Sequence, residues 1–305
     1  MQMSRVRIWI LGFLLFLYLA GVLFLSAVTL HEPRESSYAS KVLAEQKSQA
    51  LKTRGLEYGI SGLRPPRRFK IEWCSDLQYQ NPPKDPIALA SFPGSGNTWL
   101  RYLLQQATGI YTGSVYKDYG LLKSGFPAES IANGSVLVVK THEWGPEARK
   151  PFSKAVLLVR SPAPAIQAEF NRQSGGHIGF ASPDRYKKTR GRYWQQFVSD
   201  KLEGWKQMNL DWLYNFTGPT HVVFYEQLVD NVQHTLTVIL EFLEVPISDR
   251  MLSCALERQE GIYRRKRRLL NFDPYTSAMK KRLQAEQQKV YEAIYNVASP
   301  AKRKR

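Results

Sequence analysis

The first feature of the chain is a long apolar run near its N-terminus. Residues 8–30 carry no charged side chain, and the run exceeds the about 20 residues that a helix needs to cross a bilayer. Because Arg5 and Arg7 precede it, the positive-inside rule places residues 1–7 in the cytosol and everything after residue 30 on the other side. The pattern predicts a transmembrane anchor in a single-pass type II protein. The alternative is a cleaved signal peptide, whose apolar region normally spans only about 7–15 residues.

The segment after the run, residues 31–84, is polar and basic and ends in a proline-rich stretch. This composition is typical of a stem or spacer. Trp73 and Cys74 are unusual in a free linker, so we expect the part around Phe69–Leu77 to pack on the following domain.

From residue 85 to 305, short apolar runs alternate with longer amphipathic segments. The runs are typical of buried parallel strands and cover Ile87–Phe92, Val136–Val139, Ala155–Val159 and His221–Tyr225. The predicted helices are Thr98–Thr108, Pro162–Arg172, Arg192–Tyr214, Leu228–Leu243 and Thr276–Val297. This alternation predicts an α/β domain with a mainly parallel sheet and helices on both faces.

Charge and composition limit the classes of partner that we expect for this domain. Lys and Arg number 43 against 26 Asp and Glu, which favours anionic partners. The two cysteines, Cys74 and Cys254, form neither a disulfide-rich scaffold nor a metal cluster, and whether they pair stays open. The histidines show no zinc spacing, and we expect no metal. Asn133 and Asn215 each begin an Asn-X-Ser/Thr triplet, which agrees with a glycosylated, lumenal domain.

A glycine-rich loop, residues 93–98, follows the first predicted strand and opens a helix. Gly94 and Gly96 let backbone N–H groups turn toward an anion, and the helix directs its positive end there. Three further members of the loop carry side-chain donors: Ser95, Asn97 and Thr98. The loop lacks the lysine of a Walker A motif, which argues against a kinase-like phosphotransferase. The alternative is a plain glycine-rich turn between a strand and a helix.

Two more predicted strands end in charged or titratable residues, at the edge where open α/β sheets place their chemistry. Lys140 and His142 end the second strand. Imidazole suits a general base because its pKa lies near neutrality, and the lysine would neutralise a leaving oxygen. Glu143 is the rival base, and a loop histidine satisfied by backbone contacts is the structural alternative. Arg160 ends the next strand and would bind an anion or form a fixed ion pair.

The stretch SFPGSGNTW, Ser91–Trp99, resembles the phosphosulfate loop of PAPS-dependent sulfotransferases, in the form found in the WSC-domain-containing (WSCD) family, here without WSC modules. The resemblance covers about Pro86 to the C-terminus and is carried by four motifs in the family's order. It implies a P-loop-like sulfotransferase fold, PAPS as co-substrate and a Golgi membrane location. The implied partners are a glycan or glycoconjugate acceptor and the membrane, and no nucleic acid.

The resemblance also implies roles for single residues. Ser95, Gly96, Asn97 and Thr98 would hold the 5′-phosphosulfate, His142 would act as the base and Lys140 would assist the leaving group. Arg160 would bind the 3′-phosphate, with Arg265 and Lys266 from the late basic run Arg264–Arg268. Trp99 would stack on the adenine and Tyr225 would line its pocket, although each is also typical of an ordinary core residue.

Two positions depart from the family pattern. Gly94 stands where the family loop has lysine, and Ala168 stands where a serine usually shares the 3′-phosphate. The expected function is sulfuryl transfer from PAPS to a hydroxyl of a glycan, sialylated glycans included, in the Golgi lumen. The alternative is a catalytically weak or inactive membrane protein that binds nucleotides or acidic glycans.

Overall fold

The computed structural model describes residues 71–264 and 270–298. The predicted anchor at residues 8–30, most of the predicted stem, and both Arg265 and Lys266 lie outside these ranges. Within them, no helix has the length and apolar character that crossing a membrane would require.

The centre of the fold is a sheet of five strands. They are β1 (Ile87–Ser91), β2 (Gly113–Ser114), β3 (Val139–Thr141), β4 (Lys154–Val159) and β5 (Thr220–Phe224). The strands lie in the order β2-β3-β1-β4-β5, and every neighbouring pair is parallel. The carboxyl ends of all five strands therefore meet at one edge of the sheet.

Helices connect the strands. They are α1 (Asn97–Thr108), α2 (Tyr119–Leu122), α3 (Pro146–Arg149), α4 (Pro162–Gly175), α5 (Pro183–Lys187), α6 (Arg192–Tyr214), α7 (Tyr225–Asp230), α8 (Val232–Phe242), α9 (Asp249–Glu257) and α10 (Ser277–Ala298). The single helix predicted over Leu228–Leu243 was wrong, because Asn231 interrupts it. Asn231 has a non-helical backbone (φ −143°, ψ 82°), and its side chain caps α8 by accepting a bond from the His234 N–H at 2.9 Å.

The central strand shows why helices cover both faces. Its side chains alternate: Ala88 and Ala90 point into a core built with α4, α6 and α10, and Ile87 and Leu89 into a second core built with α1, α8 and α9. The predicted parallel α/β fold with helices on both faces is confirmed.

The segment that precedes β1 is fastened to the domain. Cys74 forms a disulfide with Cys254 of α9, and its N–H donates to the Gln106 side chain of α1 at 2.9 Å. The Trp73 ring lies 5.6 Å from the ring of Tyr102, also on α1. The expected packing around Trp73 and Cys74 is therefore present.

Candidate active site

A cavity of about 1040 Å³ opens at the carboxyl edge of the sheet. Most of the predicted site residues line it: Gly96, Asn97, Thr98, Trp99, Lys140, His142, Arg160 and Tyr225. Ser95 is fully buried and is not among the lining residues. Residues at the carboxyl ends of β1, β3, β4 and β5 therefore line one cavity.

The loop between β1 and α1 leaves the start of the helix open. Gly96 is the N-cap in a left-handed conformation (φ 102°), and the first turn of α1 has neither a side-chain cap from this residue nor an acidic residue. A side chain at Gly96 would collide with the Tyr225 ring, 2.5 Å from an added Cβ. The first N–H groups of a helix have no partner within it. They are available to an anion here.

Two polar side chains of the loop face inward. The Asn97 amide donates to the Leu89 carbonyl and to Ser91 Oγ, both at 3.0 Å, which ties α1 to β1. The Asn97 side-chain amide is thus engaged within the protein, and its backbone N–H is the group that would face an anion. The buried Ser95 Oγ has no hydrogen-bond partner among the described residues.

The structure explains the glycine at the position of the family lysine. Gly94 has φ 86°, and an added Cβ would lie 2.2 Å from the Ala165 carbonyl oxygen and 2.9 Å from the Glu169 nitrogen. The backbone of α4 occupies the space that a loop side chain would need. Any cation beside the loop must come from another element.

Helix α4 supplies a cation to the cavity that the sequence reasoning missed. The buried Glu169 carboxylate accepts two bonds from Arg172, from Nε at 2.6 Å and from Nη2 at 2.7 Å. Arg172 is partly exposed and lines the cavity. The available signal was the three-residue spacing of an acid and a base on a predicted helix.

Lys140 belongs to β3 and reaches a buried carboxylate. Its Nζ lies 3.6 Å from Glu129 Oε1, and Glu129 Oε2 accepts a bond from Arg101 Nη1 at 2.8 Å. Burial, together with the positive charge of Arg101, lowers the pKa of Lys140 to about 8. Neither Glu129 nor Arg101 was singled out from the sequence.

His142 is held as a neutral ring with a defined tautomer. Its Nδ1 lies 2.6 Å from the Ser91 carbonyl oxygen, so Nδ1 carries the hydrogen and Nε2 keeps the lone pair. Burial and the nearby charge of Lys140 lower the pKa of His142 to about 3. The ring is therefore unprotonated at neutral pH and can accept a proton, but the lowered pKa corrects the near-neutral value expected from the sequence and makes the imidazole a weaker base.

Tyr116 connects the two candidate bases. Its hydroxyl donates to Glu143 Oε1 at 2.6 Å and accepts the His142 backbone N–H at 3.0 Å. Burial raises the pKa of Tyr116, so its phenol stays protonated and can keep donating. Glu143 is exposed and also lines the cavity. The choice of His142 over Glu143 stays a prediction.

Another part of the cavity wall, next to the loop, combines a cation with aromatic rings. Arg160 Nη1 donates to the Gly94 carbonyl oxygen at 2.9 Å, and its guanidinium lies 4.1 Å from the centre of the Tyr225 ring. Trp99 meets Tyr225 edge-on at 5.9 Å and donates from Nε1 to the Gln259 carbonyl at 2.7 Å. Only 2% of Trp99 is exposed, so it is both a core residue and part of the wall.

Comparison with known proteins gives the family. WSCD family member AAEL009094 of Aedes aegypti is 53% identical over 313 aligned positions, which cover 94% of this chain and 96% of the relative. WSCD family member CG9164 of Drosophila melanogaster is 59% identical over 253 positions, 74% of this chain and 80% of the relative. The chain belongs to the WSCD family. No family-level sequence profile matches the chain.

A solved structure with the same fold comes from a sulfotransferase. The crystal structure of mouse sulfotransferase SULT7A1 complexed with PAP matches this WSCD chain with a TM-score of 0.50. The match covers 71% of this chain and 88% of the mouse protein at 17% identity. It confirms that the predicted sulfotransferase resemblance extends to the fold.

Some lining residues of the cavity are exposed aromatic or basic side chains. Tyr119 and Trp144 are 64% and 43% exposed and line the cavity together with cations. The cations are Lys117, Arg172 and Lys201. Aromatic faces beside positive charges are a combination suited to an anionic, partly apolar ligand in this WSCD protein.

Proposed function

We propose that this WSCD protein is a sulfotransferase that moves a sulfuryl group from PAPS to a hydroxyl of a glycan. The observation that carries the proposal is the meeting of an open, glycine-capped helix start with Lys140, His142 and Arg160 at one cavity. The same fold occurs in SULT7A1, whose structure contains PAP.

The residues present suit a nucleotide with anionic groups at both ends. The free N–H groups at the start of α1 would hold the 5′-phosphosulfate, because a helix N-terminus favours negative charge. Ser95 is fully buried and does not line the cavity, so its side chain is not part of this proposed contact, contrary to the role that the resemblance implies. Arg160 would bind the 3′-phosphate, and Tyr225 and Trp99 would line the adenine pocket. Arg265 and Lys266 stay predicted 3′-phosphate ligands.

In the proposed transfer, each step is carried out by one side chain. The acceptor oxygen forms a bond to sulfur while the bond from sulfur to the bridging phosphate oxygen breaks. His142 Nε2 takes the proton of the acceptor hydroxyl, and the Lys140 ammonium neutralises the charge that develops on the released PAP. Sulfate ester and PAP leave, and the proton returns from His142 to solvent.

Several residues that line the cavity are suited to an anionic sugar as the acceptor. Exposed Tyr119 and Trp144 offer ring faces for a sugar, and Arg172, held by Glu169, offers a fixed guanidinium to a carboxylate. We therefore propose a sialylated glycan as the acceptor class. Asn133 and Asn215 are both exposed, which is compatible with glycosylation and with the proposed location in the Golgi lumen.

Variants at the two reacting side chains test this proposal. The full-length protein and its His142→Ala and Lys140→Ala variants would be incubated with labelled PAPS and a sialylated glycan. His142→Ala should lose at least about 100-fold in kcat/KM, because general-base catalysis contributes about 10²–10⁴-fold. Lys140→Ala should lose a comparable factor, because removal of one group that stabilises developing charge costs about 10²–10³-fold. Full transfer by both variants would show that the assigned chemistry is wrong.

A second candidate function rests on Gly94 and Ala168. The loop cannot carry its family cation here, and the 3′-phosphate lacks its serine, so a weakly active or inactive protein that binds nucleotides or acidic glycans is the alternative. Thermal unfolding with PAP, measured together with sulfate transfer from labelled PAPS, separates the cases. Stabilisation by PAP without sulfate transfer to any glycan would favour the binding protein.

A further inference from the structure

Beneath the cavity wall lies a buried charge cluster formed by Arg101, Glu129 and Lys140. Arg101 is fully buried and donates from Nη1 to Glu129 at 2.8 Å, from Nε to Thr112 Oγ1 at 3.0 Å and from Nη2 to the Thr112 carbonyl at 2.9 Å. Its guanidinium also lies 4.3 Å from the centre of the Phe126 ring. The position of Glu129 is thus fixed by a rigid, fully engaged arginine.

The cluster contains two positive charges and one negative charge. Glu129 is hydrogen-bonded to Arg101, whereas its Oε1 is 3.6 Å from Lys140 and makes no hydrogen bond among the described residues. A buried charge that is incompletely paired is unfavourable. One excess positive charge therefore remains at Lys140, the member of the cluster that lines the cavity.

Two other charged groups around Lys140 affect its protonation in opposite directions. Asp118, from the turn before α2, favours the charged ammonium, and Arg172, from α4, disfavours it. His142 is neutral, and the Tyr116 ring lies 5.4 Å from Nζ. Among the described residues, Glu129 supplies the only carboxylate that forms an ion pair with Lys140.

We infer that Glu129 is a positioning residue that keeps the Lys140 ammonium charged and at the cavity wall. There the ammonium completes its charge pairing with a phosphate or phosphosulfate group of the ligand. Arg101 holds Glu129 in place and prevents the carboxylate from following the lysine. The identity of the anion as PAPS rests on the proposed function. The role of Glu129 toward Lys140 does not.

The test is the titration of Lys140 in the full-length protein without ligand. Competitive acetylation across about pH 6–10, read by mass spectrometry on the peptide that contains Lys140, reports the midpoint of its protonation. In Glu129→Gln the amide keeps the shape and still accepts a bond from Arg101, but the negative charge is gone. The Lys140 midpoint should fall by about one pH unit or more. Glu129→Asp, which keeps the charge, should lie nearer the wild type and serves if Glu129→Gln does not fold.

A control and a binding assay complete the test. Glu244→Gln removes a carboxylate paired with Lys154 on the surface and should leave the Lys140 midpoint unchanged. For a midpoint lowered by about one unit, Glu129→Gln should bind PAP about fivefold more weakly near pH 8 and almost normally near pH 6. A purely structural role would weaken PAP binding equally at all pH values. An unchanged Lys140 midpoint in Glu129→Gln would overturn the inference whether or not the wild type transfers sulfate.

Discussion

Replacement of Lys140 by methionine should stabilise the protein while abolishing sulfate transfer. Lys140 is 5% exposed and incompletely paired, and methionine has a similar length without the charge. In Lys140→Met, Glu129 keeps its bond to Arg101, which leaves a balanced buried pair. The buried lysine charge should therefore lower the free energy of unfolding, which is the pattern expected of a functional residue.

The magnitude follows from the pKa of Lys140. Burial and Arg101 lower this pKa from 10.5 to about 8, and at about 1.4 kcal/mol per pH unit this corresponds to about 3 kcal/mol of destabilisation at neutral pH. Because the folded state binds the proton less tightly than the unfolded chain, the penalty is complete below about pH 8 and disappears as the pH rises toward 10.5. The advantage of methionine should be largest at neutral pH and shrink above it.

The assay is reversible unfolding of both proteins in urea at several pH values between about 6.5 and 9.5, with transfer from labelled PAPS measured in parallel. An upper estimate of the gain in the free energy of unfolding at about pH 7 is about 3 kcal/mol. A variant that is less stable than the wild type at neutral pH, or a gain that grows with pH, would show that the buried Lys140 charge does not destabilise the fold.

Three further predictions follow from the loop, the disulfide and the histidine. Gly94→Ala should destabilise the protein by about 1–3 kcal/mol, because the added Cβ meets the backbone of α4 and φ is 86°. The variant should also lose the stabilisation by PAP in thermal unfolding, and normal PAP binding would contradict this prediction. The Cys74→Ser/Cys254→Ser double variant should lose about 2–5 kcal/mol of stability in urea unfolding, since the bond closes a sequence separation of 180 residues; equal stability would show that packing alone fastens the segment. For His142, with its pKa lowered to about 3, kcat/KM should stay level between about pH 7.5 and 5.5, whereas an acid limb near 6.5 would indicate an unperturbed histidine.

The sequence predicted the positions of the candidate reacting groups better than it predicted the groups that surround and tune them. The loop at Ser91–Thr98 and the strand tips at Lys140 and Arg160 follow apolar runs, and the carboxyl ends of parallel strands meet at one edge. This part of the site follows from local pattern and general topology. The contacts that decide ionisation were not visible, because they join residues far apart in the chain.

The third strand shows what local sequence pattern does not predict. Its apolar run is Val136–Val139, yet the paired residues are Val139–Thr141, with Lys140 beside Leu89 of β1. A lysine in a buried ladder is unexpected from its polarity, and its burial is tolerated through Glu129. Gly94 is a similar case, since its missing side chain is explained by the approach of α4. The edge strand β2 is only two residues long and carries no periodic signal.

The most direct test of the central claim is transfer of label from PAPS to a glycan array by the full-length wild-type protein. We expect sulfation of sialylated glycans, loss of the signal after sialidase treatment, and no signal with the His142→Ala protein. If no glycan on the array is labelled while PAP still raises the unfolding temperature, the protein binds the nucleotide without using it, and the proposed sulfotransferase activity is contradicted.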